Sequence, residues 1–145
     1  MQLQQIDVTG SRIVGPITAL GHVGPKHHGI ILGKNLEDGH VYVAENMHTG
    51  YQIATYHDFC KRYMPNGEIK IAANDGAYSD LTVANRAIEE IKRGGKGIYN
   101  LVANNCESFA NRAIHDKSIS KQVVHTAIGI VVVVGAYWVI KNARK

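Results

Sequence analysis

The sequence predicts an α+β fold: an antiparallel meander sheet packed against a short cysteine-bearing helix, with a hydrophobic helix at the C-terminus. Three observations predict it. Residues 27–56 hold three runs of β-branched and aromatic residues separated by glycine-bearing turns. Cys106 stands directly behind Asn104 and Asn105 at the head of an amphipathic segment. Residues 123–140 contain no Asp, Glu, Lys or Arg.

The elements follow in order. Residues 1–20 form a lead-in with at most one short strand between Ser11 and Leu20, broken near Gly15-Pro16. Residues 27–32 read as a strand, 33–39 as a glycine-bounded turn, 40–46 as the returning strand and 51–56 as a third. A short helix over 57–63 ends before the turn signal Pro65-Asn66-Gly67, and 68–73 reads as a further strand. Residues 81–93 form a helix capped by Ser79 or Asp80, with Leu81, Ala84, Ala87 (or Ile88) and Ile91 as its apolar stripe. Gly94-Gly95 stops it. Residues 99–103 lead, as a linker or extended piece, into the cysteine helix.

Length and composition bound the rest. A chain of 145 residues fits one domain, over 1–121, with an appendage over 122–145. The formal charge is +4 and the lysines are scattered, so no basic stripe marks a nucleic-acid partner. An anionic membrane surface is the better acidic partner. Cys60 and Cys106 make no CxxC spacing, which points to a reducing compartment rather than a disulfide framework. The eight histidines form neither HExxH nor a Cys/His finger, so no metal or other cofactor is expected. The first ten residues have no apolar core of a secretory signal.

The apolar run 123–140 has Tyr137-Trp138 near one end and is bracketed by Lys117 and Lys121 before, and Lys141, Arg144 and Lys145 after. About twenty apolar residues span a bilayer, with about seventeen as the lower limit. Interfaces select boundary aromatics with flanking cations. The run therefore reads as a membrane anchor; a buried core helix or strand is the alternative.

The candidate chemistry centres on Cys106. A thiol in the first turn of a helix feels the positive end of the helix dipole, which favours the thiolate. Three- and four-residue spacing puts Cys106, Phe109, Ala110 and Ala113 on one face, so a buried packing cysteine is the competing reading. A nucleophilic thiol needs a base and a group to orient that base. If the first hairpin closes symmetrically about Leu36, opposed residue numbers sum to 72, so Leu32 faces His40 and His27 faces Glu45. Opposed residues hold their Cβ atoms about 4.5–5.5 Å apart, within carboxylate-to-imidazole reach. His40 then lies roughly 17 Å along the strand from His27, too far to be the third member. Strand alternation separates His28, with Ile30 and Leu32, from His27, with Gly29 and Ile31. His28 becomes a packing or surface histidine, and Gly29 leaves room beside His27 for the cysteine helix. Cys60, between aromatics, reads as structural.

The strand His27-His28-Gly29-Ile30-Ile31-Leu32-Gly33, followed far downstream by Asn105-Cys106-Glu107-Ser108-Phe109, resembles the lecithin:retinol acyltransferase-like family, the circularly permuted branch of the NlpC-type papain-like hydrolases. The likeness runs from about residue 20 to Val123. It implies a permuted papain-like fold and a thiol acyltransferase or phospholipase acting on lipid esters. Cys106 would be the nucleophile, His27 the base and a polar residue on the next strand the orienting group. Several members of that family also end in a hydrophobic membrane segment similar to 123–140; with the cysteine usage, the expectation is a membrane-anchored protein whose catalytic domain faces a reducing (cytoplasmic) compartment. Two positions depart from the family pattern: Glu45 stands where a second histidine is frequent, and Ser108 where a histidine is common. The rival expectations are a cysteine peptidase or amidase of the same fold, and a membrane-tethered binding module without catalysis.

Overall fold

A computed structural model describes residues 1–94 and 105–117 of the chain. The extended piece expected at 99–103, Asn104, the 121/122 boundary and the apolar run 123–140 lie outside the described residues. Among the described residues no helix is long and apolar enough to cross a membrane.

The architecture is α+β. Strands β1 (Leu3–Gln4), β2 (Arg12–Pro16), β3 (Lys26–Asn35), β4 (Val41–Met47) and β5 (Gly50–Thr55) are followed by helix α1 (Tyr56–Tyr63), strand β6 (Lys70–Ala72) and helices α2 (Asp80–Lys92) and α3 (Cys106–His115). The sheet is antiparallel, in the order β5-β4-β3-β2-β6, with β1 pairing the far end of β3. The expected meander β3–β4–β5 thus forms one side of it, ending at the edge strand β5, and the short strand of the lead-in, β2, extends it on the other. β3 is covered on both faces. Ile30 and Leu32 pack with Val83, Ala84, Ala87, Phe109 and Ile114 of α2 and α3. Ile31 and Val43 pack with Ile13, Phe59 and Tyr63 on the α1 side.

Local chemistry sets the helix starts. Thr55 accepts from the amide of Asp58 to cap α1, Ser79 accepts from Thr82 to cap α2, and Asn105 accepts from Ser108 to cap α3. In α2 the buried stripe is Val83, Ala84 and Ala87, whereas Leu81 of the expected stripe is exposed. Leu81 falls in the first turn, about 100° around the helix from the face that meets the sheet.

The hairpin register differs from the symmetric expectation. β3 continues to Asn35, whose amide donates to the carbonyl of His40 at 2.8 Å, so the turn centres between Glu37 and Asp38 and not on Leu36. Near the turn Gly33 pairs with Tyr42 and Lys34 with Val41. After a bulge at Leu32, Ile31 pairs with Val43 and Gly29 with Glu45. His27 therefore does not face Glu45 directly, and Leu32 does not face His40. Glu45 lies one diagonal away, two residues along β3, on the same face as His27, where a long side chain still reaches.

Gly29 also does something other than expected. A Cβ there would stand 2.8 Å from Val43 Cγ1, 3.0 Å from the Ala44 carbonyl oxygen and 3.3 Å from Ile13 Cγ2. The space is filled by the sheet's own neighbours on the α1 side, and the cysteine helix packs on the opposite face. Gly29→Ala should accordingly lower the unfolding free energy by about 1–3 kcal/mol through overpacking, read from urea denaturation midpoints. An unchanged midpoint would show that this crowding is absent.

Candidate active site

The site forms where β3 begins. β2 pairs with β3 as far as Pro16 opposite Lys26, but the β4 register starts only at Gly29 opposite Glu45. The first turn of α3 docks by this uncovered start. The Cys106 thiol donates to the Lys26 carbonyl across 3.7 Å, and Asn46, the residue after Glu45, donates its side-chain amide to the Asn105 carbonyl at 3.4 Å. Asn105 in turn accepts from the Ser108 amide at 2.8 Å and the Ser108 hydroxyl at 3.0 Å. The helix start that carries the sulfur is thereby tied to the strand that carries the carboxylate.

Cys106, His27 and Glu45 meet. His27 Nε2 lies 2.9 Å from Glu45 Oε1. A carboxylate only accepts, so Nε2 carries the proton and Nδ1 is left as the ring nitrogen available to the thiol. Burial works to lower the His27 pKa, but its interactions with the neighbouring Cys106 and then with Glu45 outweigh it and raise it. Aromatic packing fixes the ring plane: His27 stacks on Tyr63 at 5.1 Å between centroids and lies 5.7 Å from Phe59.

Glu45 is wholly buried, and it is held by more than His27. Arg62 Nη2 donates to both oxygens, at 2.8 and 2.6 Å, and Gln52 Nε2 donates to Oε2 at 2.9 Å. Burial pushes the Glu45 pKa up, but the bonds from His27, Arg62 and Gln52 prevail and lower it. Arg62 is itself fixed. Its Nη1 donates to the Tyr63 hydroxyl at 3.0 Å, and its guanidinium lies 5.0 Å from the centre of the Tyr63 ring. Burial pushes the Tyr63 phenol up to about 12, so it stays neutral beside the pair.

Sequence reasoning did not single out Arg62, Gln52, Tyr63, Phe59 or Asn46. A signal for three of them was present: Phe59, Arg62 and Tyr63 share one face of α1 by three- and four-residue spacing, and an arginine among aromatics on a packed face calls for a buried carboxylate. Gln52 follows from the β4–β5 register, which sets it opposite Glu45.

His28 and His40 stand apart from the thiol's partners. His28 is a buried packing histidine on the opposite face. Arg12 Nη1 donates to its Nδ1 at 3.2 Å, and desolvation lowers its pKa to about 3. Arg12 Nη2 also donates to Asn111 of α3 at 2.5 Å, which clamps the cysteine helix to β2. His40 is exposed in the hairpin turn. Cys60 is half-buried and, like Cys106, is a free thiol. Among the described residues no group of three or more His, Cys, Asp or Glu side chains could hold a metal ion. Compared with protein-family models, curated proteins and solved structures, the chain shows no match.

The two shifted groups give the pair a pH window. The raised His27 contributes stability that is complete below its ordinary value of 6.5 and is lost as pH rises through its folded pKa. The lowered Glu45 contributes stability that is complete above its ordinary value of 4.5 and is lost as pH falls through its folded pKa. Glu45→Gln should therefore cost about 2 kcal/mol or more near pH 5.5, since it leaves Arg62 without its counter-charge. That cost should shrink above the His27 transition and in acid. Urea unfolding of both proteins from pH 3 to 9 checks this; a difference independent of pH would contradict it.

Proposed function

We propose that the protein is a thiol-dependent acyl-transfer enzyme, an acyltransferase or phospholipase of permuted papain-like fold. The observation that carries this is the orientation of His27: Glu45 takes Nε2, which leaves Nδ1 for a thiol at a helix N-terminus. A packing cysteine needs no buried histidine beside it, and a packing histidine needs no carboxylate held by three donors.

The chemistry proceeds by double displacement. The proton of the Cys106 thiol passes to His27 Nδ1, and Sγ attacks the carbonyl carbon of an acyl ester. Helix-start amides, with that of Cys106 foremost, stabilise the oxyanion of the tetrahedral intermediate. The intermediate collapses with cleavage of the bond to the leaving oxygen, which takes the proton from His27. The acyl group remains as a thioester on Cys106. A water, alcohol or amine then attacks the thioester carbonyl and gives its proton to His27, and the carbon–sulfur bond breaks to regenerate the thiolate. Glu45 stabilises the imidazolium at each stage without itself taking the proton. Arg62 and Gln52 are positioning residues that hold the Glu45 carboxylate.

Lipid esters are the substrate class this reading favours. The apolar run 123–140, with its flanking cations, would keep residues 1–121 at a bilayer. The two free thiols fit a domain on the reducing, cytoplasmic side.

Incubation of the intact protein with phospholipid bearing a labelled acyl chain should add the mass of that chain to Cys106 and release labelled fatty acid. Cys106→Ser should abolish the release, and His27→Gln should slow it about 10²–10⁴-fold, the range of a general base. Labelling from amide but not ester donors would make the protein an amidase. An unlabelled, unreactive Cys106 would make it a tethered binding module.

A further inference from the structure

Four large apolar residues are exposed on two segments near the start of β3. The segment between β2 and β3 leaves Ile17 (45%), Leu20 (69%) and Val23 (95%) in solvent, and Met64 (60%), next to His27's stacking partner Tyr63, joins them. The two segments form one surface. Asn66 Nδ2 donates to the Ile17 carbonyl at 2.9 Å, the His22 ring bonds the Glu68 carbonyl at 2.6 Å, and a Cβ on Gly67 would stand 3.1 Å from the Pro16 ring. The surface also borders the thiol. Ile17 donates its amide to Pro25 at 3.0 Å, one rung beyond the Pro16–Lys26 pair, and Cys106 bonds the carbonyl of Lys26.

Three lysines lie on the segments that carry the apolar tips, against two carboxylates, a net sign that an anionic bilayer attracts. Lys26 stands at the base of the segment, Lys61 lines a shallow recess with Met64 and Pro65, and Lys70 follows on β6. Glu68 is the carboxylate of the intervening turn, and Asp58 lies earlier on α1. Apolar tips with neighbouring lysines are the composition of a surface that enters the headgroup and upper acyl region.

We propose that Ile17, Leu20, Val23 and Met64 form a membrane-docking surface that seats the Cys106 end of β3 on an anionic phospholipid bilayer. This deepens the acyl-transfer reading and rests on it for its purpose. With the patch seated, the Lys26 start of β3, against which the buried Cys106 lies, comes to the glycerol-ester level of the leaflet, so an acyl ester approaches the sulfur without a lipid leaving the membrane. The patch is separate from the apolar run 123–140: the run keeps the chain at a membrane, and the patch orients the domain on it.

The test uses the full chain reconstituted into vesicles of phosphatidylcholine with phosphatidylserine. Trp138 is the only tryptophan, so Trp138→Phe gives a silent background in which Val23→Trp reports on the patch. Leu36→Trp reports on the exposed turn at the other end of β3, roughly 30 Å away. Brominated phosphatidylcholine should quench the tryptophan at 23 severalfold more than that at 36, and Leu20→Ser with Met64→Ser should remove most of that excess. Leu20→Ser with Val23→Ser in the native background should slow release from vesicles on the order of tenfold and leave a water-soluble short-chain ester unaffected. Equal quenching at both positions, or none at position 23, overturns the docking surface. Self-association through the patch in place of quenching would assign it to a second copy and equally overturn it. Quenching as expected with no acyl adduct on Cys106 upholds the surface and fails the catalytic reading.

Discussion

A carboxylate taken wholly out of water is tolerable only when its charge and lone pairs are matched, and the packing around Glu45 is built to match them. Arg62 comes from α1, Gln52 from β5 and His27 from β3, so three separate elements converge on one side chain. The consequences spread outward. Arg62 is held over Phe59 and Tyr63, those rings trap the imidazole between sheet and helix, and the imidazole presents its second nitrogen to Cys106. The geometry at the sulfur is thus inherited from an ion pair some side chains away.

The bulge at Leu32 decides whether this can happen. Beside the hairpin turn, the pairing of Gly33 with Tyr42 and Lys34 with Val41, continued without a bulge, would set Glu45 opposite Ile30, on the face that packs against α2 and α3. One extra residue on β3 moves Glu45 opposite Gly29 and onto the face of His27. A bulge next to a reactive site that re-aims a side chain is a recurrent use of the motif, and here it turns an ordinary hairpin into a holder for an imidazole–carboxylate pair.

This also explains what could be read from residue order. The pairing of His27 with Glu45 was legible because the symmetric hairpin erred by two residues, and an even slip preserves the face. The diagonal placement was not legible, since neither the continuation of β3 to Asn35 nor the bulge has a local signature strong enough to fix it. Helix starts were legible in Ser79 and Asn105, whose side chains cap through neighbours in sequence, whereas the cap Thr55 lay inside the expected third strand. Gly29 was legible as a close approach but not as to which neighbour approaches, because that depends on which face each helix covers. Arg62 and Gln52 become partners of Glu45 only once the meander is folded, and the clustering of Ile17, Leu20, Val23 and Met64 likewise depends on contacts between two separate segments.

The most direct measurement of the central claim is the nitrogen-15 NMR titration of the His27 ring in the intact protein, compared with Glu45→Gln. If Glu45 orients and charges the ring, the neutral form keeps its proton on Nε2, the midpoint lies above the ordinary 6.5, and Glu45→Gln brings it down. A neutral ring protonated on Nδ1, or a midpoint that Glu45→Gln leaves in place, would contradict the account.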